Sequence, residues 1–213
     1  PAAATAPGPR ADALVAAGDL AGARALLEGA VRAAPADGEL LWRLSRVVLL
    51  QGDALAEGSP QQAQAYQRAF DLANQAVRAN GRSADAYVRR AAAAGKVALS
   101  KGVLESAELV KGVRDDATKA LALDPAPQTR AAAHYILGRT HAKLAETPRP
   151  LRMPLGLQWG TLADGIAQLR QAVALRPDFV MYRLDLARAL ERDGKGSDAR
   201  RELEQVPRLP DQE

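Results

Sequence analysis

Four times along this chain a helical run of alanine and aliphatic residues meets a breaker. The runs are Ala30-Val31-Arg32-Ala33-Ala34-Pro35, Ala76-Val77-Arg78-Ala79-Asn80-Gly81, Ala120-Leu121-Ala122-Leu123-Asp124-Pro125 and Ala172-Val173-Ala174-Leu175-Arg176-Pro177. Proline lacks an N–H and biases its predecessor away from the helix, and glycine is the usual residue just past a helix end, so each run marks a stop. Four equivalent stops imply five tandem two-helix units, which bury their apolar faces by stacking on one another. A second recurrence sits in the first helices. Leu44-Ser45-Arg46, Leu137-Gly138-Arg139 and Leu186-Ala187-Arg188 each put a leucine, a small residue and an arginine in consecutive positions.

Reading between the stops gives an all-α chain. The first unit pairs a helix over 10–17 with one over 20–34 through a turn at Gly18-Asp19, and Ala23, Leu27 and Ala30 share one face. The second pairs 40–50 with a long helix that starts at Ser59-Pro60-Gln61-Gln62, a capping-box pattern with proline in the first turn, and runs to residue 80. The third has a helix over 83–99, then an amphipathic stretch carrying Leu104, Ala107, Val110, Val113, Ala117, Ala120 and Leu121. The fourth has helices over 129–145 and 162–175 around a proline-rich insertion, and the fifth has helices over 181–192 and 197–206 joined at Asp193-Gly194-Lys195-Gly196. The expected architecture is a right-handed α-solenoid of about five antiparallel hairpins with long second helices and an extended insertion. It forms a single domain over 10–209 after a disordered tail or linker over 1–9.

Composition narrows the function classes. Hydrophobic residues make up 47% of the chain and aromatics only 4%, which suits close packing through alanine. Lys plus Arg is 29 against 25 for Asp plus Glu. That basic tilt comes without the basic runs and interleaved aromatics of a nucleic-acid binder, so nucleic acid is not an expected partner. The chain has no cysteine, which removes disulfides, thiolate metal sites and cysteine nucleophiles. No Gly-x-Ser-x-Gly elbow, nucleotide fingerprint or His-Glu-x-x-His pattern occurs, so no catalytic residue, metal or cofactor is expected. His134 and His141 lie seven residues apart on one helical face, yet two ligands do not make a zinc site. The opening PAAATAPGP reads as the start of a processed, exported (periplasmic) chain, or else as a linker in a cytoplasmic one. No apolar run approaches the roughly 18 residues of a membrane span.

The first and last hairpins resemble the tetratricopeptide repeat, whose unit of about 34 residues crosses its helices at small side chains and ends in proline. A more specific resemblance rests on Leu41-Trp42-Arg43-Leu44, on Lys101-Gly102 leading into the helix that ends at Pro125, and on His134-Tyr135-Ile136-Leu137-Gly138-Arg139. Over about residues 40–210 this order is similar to the regulator of microtubule dynamics family and its bacterial relatives. In eukaryotic members the resemblance implies a tetratricopeptide-like domain associated with microtubules or membrane contacts, in some cases with lipid. The alanine- and arginine-rich composition fits a bacterial relative and argues against microtubules as the partner.

Candidate binding residues follow from the repeat. If the small residue packs where helices cross, the next residue is turned by about 100° toward another face. Arg46, Arg139 and Arg188 then line the concave wall as a basic row, extended one turn on by Lys143 and Arg192, with Arg89 and Lys96 at comparable offsets and Tyr135 at the border. Such a row suits an acidic peptide or protein segment, or else bridges acids on neighbouring helices. The insertion over 147–160 alternates Leu151, Met153, Leu155, Leu157 and Trp159 with polar residues or glycine and proline, a period-two pattern with one apolar face. That face packs back on the fourth and fifth hairpins, or forms a lid over the groove. The leading expectation is a non-enzymatic scaffold for an acidic segment. A carrier of an amphipathic ligand such as a phospholipid and a self-assembling structural repeat are the alternatives.

Overall fold

The structure, a computed structural model, describes residues 6–101 and 103–206, apart from the side chains of Val103 and Leu104. The expectations placed on residues 1–5, Gly102, Leu104 and the domain end at 209 lie outside them. The described residues form eleven helices and no strand. They are α1 (Pro7–Ala16), α2 (Leu20–Ala33), α3 (Gly38–Asp53), α4 (Pro60–Ala79), α5 (Ala84–Leu99), α6 (Val103–Ala122), α7 (Pro127–Leu144), α8 (Arg149–Arg152), α9 (Leu162–Leu175), α10 (Val180–Arg192) and α11 (Gly196–Leu203).

Contacts divide the chain into two compact units, Pro1–Gly102 and Val103–Glu213. In the first, α1 pairs with α2 and α3 with α4, α5 packs on α4, and the first helices touch in succession, α1 on α3 and α3 on α5. In the second, α6 packs on α7, α7 pairs with α9 and α10 with α11, and α7 touches α10. The helices expected as the third hairpin, α5 and α6, fall in different units.

All four stops end a helix, and three do so in the same way. Ala34, Asn80 and Arg176 leave α2, α4 and α9 with φ between −144° and −136°, and their N–H groups donate to the carbonyls of Ala30, Ala76 and Ala172. Asp37, Ser83 and Phe179 then donate to the carbonyls of Ala34, Asn80 and Arg176 at 3.1–3.2 Å. The Asp37 and Ser83 side chains go on to cap α3 and α5. The fourth stop differs: Asp124 takes φ 49°, in the left-handed region, although Ala34 and Arg176 precede proline as it does. Two turns within hairpins repeat as well. Gly18 and Gly194 adopt φ 79° and 73°, and Asp19 and Lys195 close back onto Leu14 and Leu190 in the six-to-one bond of a glycine-ended helix.

The small residue of each Leu-small-Arg stretch is packed at a helix crossing or in the core. Ser45 is fully buried, and its hydroxyl donates to the Ala69 carbonyl of α4 at 2.7 Å. Gly138 lies against α9 so closely that an added Cβ would sit 2.7 Å from Leu169 Cγ and 3.0 Å from the Gly165 carbonyl oxygen. Gly165 returns the contact, its Cβ position 3.0 Å from the Ala142 nitrogen. Ala187 is buried in the cluster that joins α9, α10 and α11. The leucines before them, Leu44, Leu137 and Leu186, are buried.

Two expectations are corrected. The first helix begins at Pro7, so the tail boundary at residue 9 is too late: proline suits the first helical turn, and Gly8 is buried against the Arg43 side chain. The insertion is not extended but opens with the helical turn α8, because Arg152 turns inward, its guanidinium donating to the carbonyls of Thr147 at 3.0 Å and Leu157 at 2.8 Å. Alternation over 151–159 reflects that staple rather than a strand. Among the described residues no helix is long and apolar enough to cross a membrane.

The crossing predicts opposite outcomes for one substitution at two glycines. Gly138→Ala should lower stability by about 1–3 kcal/mol through overpacking, whereas Gly95→Ala on α5, with nothing within 4 Å of its Cβ position, should raise it by about 0.5–1 kcal/mol through helix propensity. Paired thermal melts check the signs, at about 2–4 °C per kcal/mol.

Candidate functional site

In the second unit the first helices α7 and α10 lie side by side. Leu137 and Gly138 face inward, so Arg139 turns toward the side shared with α10, where Asp185 stands one helical turn before Arg188. Arg139 Nε lies 3.2 Å from Asp185 Oδ2, and Arg188 Nη1 lies 2.9 Å from Oδ1. Tyr135, one turn before Arg139, donates its hydroxyl to the same carboxylate at 2.6 Å and stacks on Tyr182 at 4.5 Å between ring centroids. Burial lifts the Tyr135 phenol well above its usual range, with the Asp185 charge adding to the rise and Arg139 opposing it, so the hydroxyl stays a neutral donor.

One turn further on, the arrangement recurs around Glu146. Lys143 Nζ meets Glu146 Oε2 at 2.6 Å, and Arg192 Nη1 meets Oε1 at 3.1 Å while also donating to the Ala142 carbonyl at 3.2 Å. Asp185 is nearly buried at 12% side-chain exposure, whereas Arg139 and Arg188 are 47% and 68% exposed. Two carboxylates thus hold four cations and leave a surplus of positive charge facing outward.

The sequence-derived residues therefore separate into groups. Tyr135, Arg139, Lys143, Arg188 and Arg192 come together in the second unit. Arg46 belongs to the first, where it lies 3.5 Å from Asp12 of α1, a carboxylate it shares with Arg43 at 2.9 Å. Lys96 is drawn to Asp53, which also accepts from the Tyr66 hydroxyl at 2.8 Å. Arg89 is half-buried on α5. The arginines thus bridge acids, the alternative weighed from the sequence, and in the second unit they do so without being covered. Asp185 and Glu146 escaped the sequence reading. Their signal is the three-residue spacing to Arg188 and Lys143, which puts Asp185 beside Arg188 on α10 and Glu146 just past the end of α7, within reach of Lys143.

The insertion packs onto α6 and α7. Leu157 is buried in a cluster with Ala107 and Leu144, and Leu155 and Trp159 cover it. Leu151 and Met153, 66% and 56% exposed, point to solvent. Trp159 sits under the Arg114 guanidinium at 4.7 Å and edge-on to His141 at 5.0 Å. The two histidines serve separate hydrogen bonds: His134 Nδ1 to Gln168 at 2.7 Å, and His141 Nδ1, which accepts from the Thr161 N–H at 3.3 Å. No group of three or more potential metal ligands occurs among the described residues.

Comparison with protein families matches residues 9–213 to the family described as Regulator of microtubule dynamics protein 1-3. Comparison with curated protein sequences gives no match. Among solved structures, the chain is similar to TTC0263, a thermophilic tetratricopeptide protein of Thermus thermophilus, at 20% identity, 94% coverage of this chain, 88% of that chain and a TM-score of 0.71. It is similar to PilF of Pseudomonas aeruginosa at 13% identity, 97% and 76% coverage and a TM-score of 0.61. It is also similar to YrrB, described as a tetratricopeptide protein with an unusual peptide-binding site, at 14% identity, 92% and 80% coverage and a TM-score of 0.51. At these identities the likeness establishes the tetratricopeptide-type fold.

His141 makes the site's support sensitive to acid. Burial holds its imidazole below the ordinary 6.5, with Arg114 adding to that and Asp164 opposing it. The unfolded chain then takes up the proton first, so this contribution is present above about pH 6.5 and is lost as pH falls toward the lowered folded value. Between about pH 7.5 and about pH 5.5 the melting temperature of the native chain should fall further than that of His141→Asn, which keeps an acceptor for Thr161. Parallel curves would show that His141 is not the group responsible.

Proposed function

The chain belongs to the regulator of microtubule dynamics protein 1-3 family, and on that premise we propose that it is a non-enzymatic protein-interaction scaffold that takes an acidic segment of a partner on the α7/α10 face. The observation carrying this reading is the two-to-one ratio of cations to acids. Asp185 fixes Arg139 and Arg188, and Glu146 fixes Lys143 and Arg192, yet neither acid cancels both of its partners.

Three physical points support it. Exposed ion pairs are worth at most about 1 kcal/mol, so an incoming carboxylate shares Arg188 with Asp185 and Lys143 with Glu146 at little cost. Guanidinium groups grip carboxylates through paired hydrogen bonds, and anchoring them beforehand reduces the side-chain entropy lost on binding. Tyr135 and Tyr182 supply a firm aromatic floor next to the cations. The tetratricopeptide fold of the similar structures, YrrB with its peptide-binding site among them, is consistent with a scaffold role.

The test uses a fluorescein-labelled oligo-glutamate peptide and anisotropy. Arg139→Glu with Arg188→Glu should weaken capture by at least about tenfold, or about 1.4 kcal/mol, with helicity by circular dichroism unchanged. Undiminished capture by a folded double variant would discard the proposal.

A further inference from the structure

A cleft of about 530 Å³ opens in the first unit between α2, the end of α3 and α4, lined on one side by the face of α4 that carries Gln61, Gln64, Ala65 and Arg68. Its volume lies within the range of ligand sites, and its floor, built from Leu20, Val48 and Leu55, is apolar. Leu55 is an exposed large hydrophobic at 41%.

One end of the cleft is closed by charge. Arg24 of α2 and Arg68 of α4 both bind Glu28 Oε1 at 2.9 Å, so an ion-pair bridge spans the furrow between the two helices. Arg24 Nη1 also donates to Gln51 Oε1 at 3.1 Å, and the Gln51 amide donates to the Leu20 carbonyl at 3.3 Å. The hydrogen bond from Arg24 is the largest influence holding Glu28 below the usual carboxylate range, with the charges of Arg68 and Arg32 adding to it, so this acid stays ionised. Two guanidiniums against one carboxylate leave room for a second anion.

We propose that this cleft receives the carboxy terminus of a partner polypeptide, its terminal carboxylate between Arg24 and Arg68 and its last aliphatic side chain on the Leu20, Val48 and Leu55 floor. The direction follows from the helices. From Leu20 to Arg24 on α2, and from Gln61 to Arg68 on α4, both walls run toward the bridge. At 1.5 Å per residue the longer wall spans about 10 Å, the length of about three residues of extended chain at about 3.3 Å each. A chain entering there meets the bridge after about three residues and stops, which favours an end over an internal acidic side chain. The Gln61 and Gln64 amides offer both donors and acceptors to its backbone. The site is separate from the α7/α10 face and does not depend on it.

The probe is a fluorescein-labelled peptide, Gly-Ser-Glu-Asp-Leu, prepared as the free acid and as the C-terminal amide, titrated into the full chain by anisotropy and by amide chemical shifts. The free acid should bind and shift Gln51, Leu55 and Ala65. Amidation should weaken it by at least about tenfold, as should Arg68→Glu and the cleft-filling Gln64→Trp. Arg139→Glu with Arg188→Glu should leave this binding unchanged. Equal affinity for acid and amide, equal affinity for hexanoate, shifts confined to α7 and α10, or no binding would each overturn the assignment. Shifts confined to α7 and α10 would place the peptide on the face proposed above; the other results leave the oligo-glutamate test untouched.

Discussion

The close crossing of two helices at a small residue is the constraint on which the rest depends. At Gly138 and Gly165 the backbones of α7 and α9 approach until neither position has room for a methyl group. Ser45 solves the same problem differently: its hydroxyl is buried, and a hydrogen bond to the Ala69 carbonyl of α4 offsets the cost of removing it from water. Once the crossing point is fixed, so is the rotation of each first helix about its axis. The leucine before the small residue goes into the core, and the arginine after it cannot follow.

What those arginines then meet depends on the neighbouring helix. On α3, Arg46 finds Asp12 already engaged with Arg43, which Glu39 also holds at 2.8 Å, so there two acids serve two cations. On α7 and α10, Arg139 and Arg188 converge on Asp185, and Lys143 and Arg192 converge on Glu146. Around Glu28, Arg24 and Arg68 repeat the ratio on the second helices. A recurring motif of one carboxylate between two cations orders long side chains without neutralising them. It leaves positive charge at defined places on both units, which is the property a scaffold for acidic chain segments requires.

The repeat was legible because its punctuation is local. The Ala30, Ala76 and Ala172 runs end their helices in the same backbone conformation, and the breaker residues are visible one by one. Leu44, Leu137 and Leu186 entered the core as the spacing required. The insertion was misread because its alternation comes from a tertiary interaction: Arg152 goes inward to satisfy the Thr147 and Leu157 carbonyls while Leu151 and Met153 go outward, the reverse of what hydrophobicity suggests. The site was half legible. Recurrence pointed to Arg139 and Arg188, but Asp185 and Glu146 occur once each, and periodicity marks only what repeats. The cleft at Arg24 and Arg68 was invisible, since its walls belong to helices 40 residues apart joined through Glu28.

A crystal structure of the chain with an oligo-glutamate peptide tests the central claim most directly. The account predicts peptide carboxylates within hydrogen-bond distance, about 2.7–3.2 Å, of Arg139 and Arg188, with Asp185 still bound to both and the α7/α9 crossing unmoved. Peptide seated elsewhere, with those guanidiniums turned wholly to Asp185, would contradict it.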